Sequence, residues 1–124
     1  MKFRKFDTEF EIDEGLIAGN EEEIRRQVDE YFSGRRKVFK LKVVFPDGFT
    51  GDVMREISRI PYGETRTYGE LAEALGSSAV AVGQACGSNP VPLIIPCHRV
   101  VGKDSVGGYL YGRKVKEKLL ELEE

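Results

Sequence analysis

Thr67-Tyr68-Gly69-Glu70-Leu71-Ala72-Glu73-Ala74-Leu75-Gly76-Ser77-Ser78-Ala79-Val80-Ala81-Val82-Gly83-Gln84-Ala85-Cys86-Gly87 is the stretch that decides the fold. Thr67 with Glu70 three residues on fits a capping box, in which a threonine hydroxyl and a glutamate carboxylate satisfy each other's free backbone N–H groups. The helix it opens carries Leu71, Ala72 and Leu75 at core spacing, and Gly76 ends it. Ser77 and Ser78 then offer a second cap for a helix from Ala79 to about Ala85 or Cys86. Two short helices about a glycine turn outline a helix-turn-helix. The second is built of small residues, Ala79, Ala81, Gly83, Ala85 and Gly87. Such a face admits another backbone or a nucleic acid groove at close range. It fits a thin helix tucked against the core equally well, and Val80-Ala81-Val82 would also tolerate a strand.

Downstream, Gly87-Ser88-Asn89-Pro90 is a turn by composition, and Val91-Pro92-Leu93-Ile94-Ile95 reads as a buried extended segment, ended by Pro96. Cys97 and His98 follow, one thiol beside the only histidine of the chain. An ordinary thiol, with a pKa of about 8.5, is only a few per cent ionised at neutral pH, so a nucleophilic cysteine needs a neighbouring base or cation. His98 and Arg99 are suited to that task. In a regular strand Cys97 and His98 would point to opposite faces, so a working pair requires the chain to turn here. The alternative is a buried structural cysteine with a histidine beside it. Val106-Gly107-Gly108-Tyr109-Leu110-Tyr111-Gly112 then forms a glycine-rich loop, and Val115, Leu119, Leu120 and Leu122 mark a closing helix.

Upstream, Asp52 is a candidate cap for a helix carrying Val53, Met54, Ile57 and Ile60, stopped by Pro61. Pro46-Asp47-Gly48 is a turn and a candidate domain boundary. Residues 2 to 19 alternate apolar and polar positions as short antiparallel strands do, with Asp13-Glu14-Gly15 as a turn. Asn20 caps a helix whose first turn is Glu21-Glu22-Glu23 and whose apolar face is Ile24, Val28, Tyr31 and Phe32, with Gly34 as its stop. Val38 to Phe45 is strand-like. The expected fold class is therefore α+β: a small N-terminal antiparallel sheet with one helix over residues 1–47, then a mainly helical C-terminal domain over residues 48–124 that holds the helix-turn-helix and the cysteine segment.

At 124 residues and 40% hydrophobic, the chain can bury a real core, and no run is long or apolar enough to span a membrane. The charged start, Met1 to Asp7, is not followed by an apolar stretch and is not read as a signal peptide, so a cytoplasmic location is expected, or a nuclear one in a eukaryote. Cys86 and Cys97 are expected to be free thiols in that setting. Two cysteines and one histidine are too few for a closed tetrahedral zinc site without carboxylates, and no metal is expected. The net charge is −2 and both halves are close to balance, so bulk charge offers nothing in favour of a polyanionic partner.

Asn89-Pro90-Val91-Pro92-Leu93-Ile94-Ile95-Pro96-Cys97-His98-Arg99-Val100-Val101 closely resembles the active-site segment of the O6-alkylguanine-DNA alkyltransferases, repair proteins that take an alkyl group from guanine onto their own cysteine. The resemblance runs from about Phe49 to Glu123. It implies that Cys97 is the alkyl acceptor, His98 its base acting through a water, and Glu123 the carboxylate that orients the histidine. It likewise implies Tyr68 beside the flipped base and Asn89 as the hinge between recognition helix and active-site segment. Gly107, Gly108 and Tyr109 would line the pocket, and the main chain of Cys97, Val100 and Leu110 would read the guanine edge. Thr67, Tyr68, Ala79, Val80, Ala81, Gly83 and Gly87 would face double-stranded DNA carrying O6-alkylguanine, through a helix-turn-helix entering the minor groove. The thioether product has no easy hydrolytic exit, so the resemblance implies a single turnover, no cofactor and a monomer.

Two positions depart from the family pattern. Val80 stands where the family usually places an arginine that fills the gap left by the flipped base, and Gly87 falls on a second basic position. Both imply weaker DNA binding than is usual. The loop before Tyr109 is one residue shorter than in longer relatives, and Leu110 occupies a position that is often serine. Two further readings compete with alkyl transfer: a module that binds alkylguanine lesions without chemistry, and a DNA-binding regulator with Cys97 as a redox sensor.

Overall fold

The computed structural model describes residues 1–124. It is an α+β fold, as the sequence pattern predicts. Strands β1 (Lys2–Lys5) and β2 (Thr8–Glu11) form an antiparallel hairpin with Phe3 opposite Phe10. The two rings stack 5.0 Å apart on the inner face, and Phe6 and Asp7 at the tip take positive φ, as a tight hairpin turn requires. After a 3-10 turn at Glu14–Leu16, β3 (Ile17–Ala18) pairs antiparallel with β4 (Lys42–Val43). Helix α1 (Glu21–Phe32) lies between them in sequence; Asn20 Oδ1 accepts from Glu23 N at 2.8 Å, and Ile24, Val28 and Tyr31 are buried.

The expected strand from Val38 to Phe45 reduces to Lys42–Val43. Its first half is held by a side chain: Lys40 N donates to Gln27 Oε1 at 2.8 Å and Gln27 Nε2 to Lys40 O at 3.3 Å. A glutamine thus takes the place of a neighbouring strand, and Val38 and Val44 remain exposed. Helix α2 (Gly48–Ile57) begins one turn before Asp52. Asp47 occupies the cap position without a side-chain bond, and Asp52 pairs with Arg55 on the exposed side. The early start rests on Gly51: a Cβ there would lie 1.8 Å from the Pro46 carbonyl oxygen, so only glycine lets the entering chain pack so closely.

Helix α3 (Tyr68–Leu75) has the complete capping box, with Glu70 N donating to Thr67 Oγ1 and Thr67 N to Glu70 Oε1, both at 3.0 Å. Gly76 ends it at φ 62, and Ser78 caps α4 (Ala79–Cys86), so the region with strand-compatible valines is helical. Thr67 also belongs to β5 (Arg66–Thr67), which pairs in parallel with β6 (Val100–Val101), Arg66 opposite Val100 and Thr67 opposite Val101.

The segment Val91–Ile95 is buried but is not a strand. Ile95 N bonds back to Val91 O at 3.0 Å, and Leu93 takes φ 77 with its side chain 1% exposed. A branched-chain residue in that region costs about 1–2 kcal/mol, offset here by complete burial of Val91, Leu93 and Ile95. A tight reversal under burial looks, in composition, like a core strand. Cys97–Arg99 then forms a 3-10 turn, and α5 (Arg113–Leu122) closes the fold through Val115 and Leu119. One hydrophobic cluster runs from Phe3 and Phe10 through α1, α2 and α3 to Leu119.

Candidate active site

Cys97–Arg99 is a 3-10 turn, so the chain turns at Cys97 and His98 and does not continue as a strand. Cys97 is 4% and His98 0% exposed. Asn89, just past the end of α4, is the hub beneath the thiol. Its Nδ2 donates to Cys97 Sγ at 3.2 Å and to Ile95 O at 2.8 Å, while its Oδ1 accepts from Val91 N at 3.0 Å.

His98 does not bond Cys97 directly. Its Nε2 lies 2.8 Å from Glu123 Oε2, and its Nδ1 is buried with no partner. Burial opposes ionisation of Glu123, but the bonds from His98, Arg99 and Tyr31 outweigh it and hold the carboxyl at about 2. An ionised Glu123 requires Nε2 to carry the proton, which leaves the lone pair on Nδ1. Burial lowers the pKa of His98 more than Glu123 raises it, so the ring is neutral at pH 7 and Nδ1 is a free base.

Arg99 does not serve the thiol. Its Nε and Nη2 clamp Glu123 at 2.8 and 2.9 Å, and Nη1 donates to Ile60 O at 2.8 Å. The fully buried cation near the sulfur is Lys116, whose Nζ donates to Val100 O at 2.5 Å, Gly108 O at 2.9 Å and Tyr68 Oη at 3.3 Å. Burial brings its ammonium down to about 8, against the pull of Cys97 and Cys86. Sequence reasoning missed both Lys116 and Tyr31. Lys116 sits between Val115 and Leu119 on the buried side of α5, where a lysine on an apolar face was the available signal; Tyr31 stood among core residues, and nothing in its spacing sets its hydroxyl apart. Burial pushes the Cys97 thiol up, while Asn89 and Lys116 pull the other way without cancelling it. Burial thus favours the neutral thiol of Cys97 at rest.

Above the sulfur opens a cavity of about 510 Å³ lined by Tyr68, Ala79, Val80, Gly83, Cys86, Gly87, Cys97, Gly108, Tyr109 and Leu110. It gathers residues expected to touch the base with residues expected to touch DNA. Thr67, Ala81 and Val100 lie outside the lining; Thr67 caps α3, and the Val100 carbonyl is bonded to Lys116. Tyr68 Oη donates to Gly108 O at 3.3 Å, which closes the loop over the cavity. Gly107 permits this at φ 80, since a Cβ there would lie 2.9 Å from the Tyr68 ring. The buried Tyr109 hydroxyl has no partner. Cys86, also in the wall, is pushed up to about 12 by burial and by Cys97. No group of three or more His, Cys, Asp and Glu side chains is gathered as a metal site, and no helix is long and apolar enough to cross a membrane.

A helix-turn-helix beside a cavity with a cysteine floor, backed by a histidine-carboxylate pair, defines a protein that carries out nucleophilic chemistry next to a helix built for close approach. Residues 48–124 match the family model of the 6-O-methylguanine DNA methyltransferase DNA-binding domain. The chain is 45% identical over 114 residues to a methylated-DNA--protein-cysteine methyltransferase of Archaeoglobus fulgidus, covering 86% of this chain and 78% of that protein. It is 40% identical over 130 residues to one of Methanosarcina acetivorans, covering 99% and 83%. In structure it is similar to OGT of Mycobacterium tuberculosis, solved in complex with DNA, with a TM-score of 0.78 and 40% identity over 82% of this chain and 66% of that one. The chain belongs to the methylated-DNA--protein-cysteine methyltransferase family.

Proposed function

We propose that this chain is a DNA repair protein that transfers the alkyl group of O6-alkylguanine in double-stranded DNA to its own Cys97. The observation that carries this reading is the position of Cys97 at the floor of the cavity walled by α4, with its sulfur bonded to Asn89 and the His98-Glu123 pair behind it. The alkyl group of O6-alkylguanine is inside the duplex, so the nucleotide is swung out into the cavity at a cost of a few kcal/mol. The Cys97 proton passes through a water to His98 Nδ1, and Glu123 stabilises the imidazolium. Sulfur then forms a bond to the alkyl carbon, the carbon–O6 bond breaks with its electron pair going to the guanine, and the guanine takes up a proton to leave as the unmodified base. The thioether has no hydrolytic exit, so each chain acts once and needs no cofactor.

In this reading Tyr68 and Asn89 complete the catalytic set, Val100, Gly108, Tyr109 and Leu110 hold the base, and Thr67, Ala79, Val80, Ala81, Gly83 and Gly87 face the DNA. The division into an N-terminal unit, 1–47, and a DNA-binding and transfer unit, 48–124, is supported by the family match that begins at residue 48. A single chain supplies every group in the scheme, which supports a monomer, working wherever DNA is kept: the cytoplasm, or a nucleus.

Intact mass before and after incubation with a duplex containing O6-methylguanine, with fragment mapping to separate Cys97 from Cys86, tests the reading. One methyl group on Cys97 is expected. A gain with free O6-methylguanine but none with duplex would locate the failure in DNA handling by α4, whereas no gain with either, while the lesion is bound, would make the chain a lesion-binding module.

A further inference from the structure

Glu123 holds more donors than the orientation of one histidine needs. Oε2 accepts from His98 Nε2 at 2.8 Å, Arg99 Nη2 at 2.9 Å and Tyr31 Oη at 2.5 Å, and Oε1 accepts from Arg99 Nε at 2.8 Å. Tyr31 is the one donor that comes from the N-terminal part of the chain. Its ring is fully buried and packs against Phe32 at 5.2 Å, Phe39 at 5.3 Å and Tyr62 at 6.2 Å. A phenylalanine would make the same aromatic contacts; what the hydroxyl adds is the bond to the carboxylate.

We infer that Tyr31 is a positioning residue for alkyl transfer, its hydroxyl reaching from α1 to Glu123 and thereby setting how strongly that carboxylate holds a proton on His98. The inference rests on the reading of Cys97 as alkyl acceptor. Each donor on a carboxylate spreads its charge and weakens its hold on the imidazolium. A base that is to collect the Cys97 proton must be neutral beforehand, so an unshared Glu123 would bind the proton on His98 too early. The other charged or titratable groups around the pair are Arg99 on the same turn, Tyr62, whose hydroxyl donates to Leu122 O at 3.1 Å, and Lys116 and Tyr109 on the far side. None of these comes from α1.

Because His98 is the only histidine of the chain, an NMR titration reads its protonation from a single imidazole. Tyr31→Phe is expected to raise the His98 midpoint by about half a pH unit, roughly threefold in its proton affinity. The acid limb of the single-turnover transfer rate should move up by the same amount, with the rate above pH 8 within about twofold of wild type. Val28→Ala, which loosens the same helix without reaching Glu123, should lower the melting temperature and leave both midpoints in place. Wild-type midpoints in Tyr31→Phe, or an equal movement in both variants, would reduce Tyr31 to a core residue and overturn the inference. Failure of the wild-type chain itself to take up a methyl group would remove the reading beneath it, and is seen before any variant is compared.

Discussion

Replacing Glu123 by glutamine removes the charge at the centre of the buried network while keeping its shape. The carboxyl lies at about 2 in the fold against its ordinary 4.5. That difference corresponds to about 3 kcal/mol in favour of the ionised form. The folded value is the depressed one, so this stability is fully present above about pH 4.5 and is lost as pH falls through about 2. A second route gives the same size: removing one partner of a buried ion pair costs about 3–5 kcal/mol, because the other charge is left uncompensated. Here that charge is Arg99, 7% exposed, which keeps the Ile60 carbonyl and one amide oxygen but loses its counter-charge. Glu123→Gln should therefore lose about 3 kcal/mol in urea denaturation at pH 7, with the same loss at pH 8, and melt about 10 °C lower. Transfer should slow as well, since an amide holds the imidazolium less strongly. A loss below about 1 kcal/mol at pH 7 would refute the claim that the carboxylate carries a large share of the stability around the site.

Asn89→Ala removes the donor to Cys97 and leaves Val91 N–H without its partner, so we expect about 2 kcal/mol less stability and a single-turnover rate at least tenfold lower, measured by thermal denaturation and stopped mixing with methylated duplex. Val80 is 71% exposed on α4, a helix with no basic residue; Val80→Arg should tighten DNA binding and steepen its dependence on log salt by about 0.9, and an unchanged slope in a polarisation titration would show that α4 does not meet phosphate. Lys116→Met should shift the pH profile of Cys97 alkylation by iodoacetamide upward, because the cation that favours the thiolate is gone. Since Lys116 is brought below its ordinary 10.5 to about 8, the fold penalises its charged form below pH 8 and is relieved as pH rises towards 10.5; wild type should gain stability on Lys116→Met across that window, read from paired urea curves.

Local chemistry made the helix-turn-helix legible: Thr67 with Glu70, Gly76 and Ser78 fix both helix starts and the turn through bonds spanning three or four residues. The Asn89 to Val101 motif pointed to Cys97, His98, Asn89 and Glu123, and the structure joins them as Asn89 to the thiol and His98 to Glu123. What was illegible depends on partners distant in sequence. Gln27 replaces a strand beside Lys40, Tyr31 meets Glu123 ninety-two positions away, and Lys116, marked in sequence only as a lysine on an apolar face, bonds Tyr68 forty-eight positions back. The reversal at Leu93 was hidden for another reason, since burial rather than sequence preference holds its backbone.

The two-rung parallel ladder between β5 and β6 acts as a gauge for the cavity wall. Tyr68 follows directly on Thr67, and Cys97 lies three residues before Val100, so the pairing of Arg66 with Val100 and Thr67 with Val101 fixes the two stretches that bring tyrosine and sulfur to one cavity wall. A slip of one residue would displace them by about 3.3 Å and reverse the faces of the strand. Residues added or lost between Gly102 and Gly108 fall outside this gauge. Loop length can therefore drift and reshape the mouth of the cavity while Cys97 stays in place, whereas a single insertion between Cys97 and Val100 would shift the sulfur relative to Tyr68.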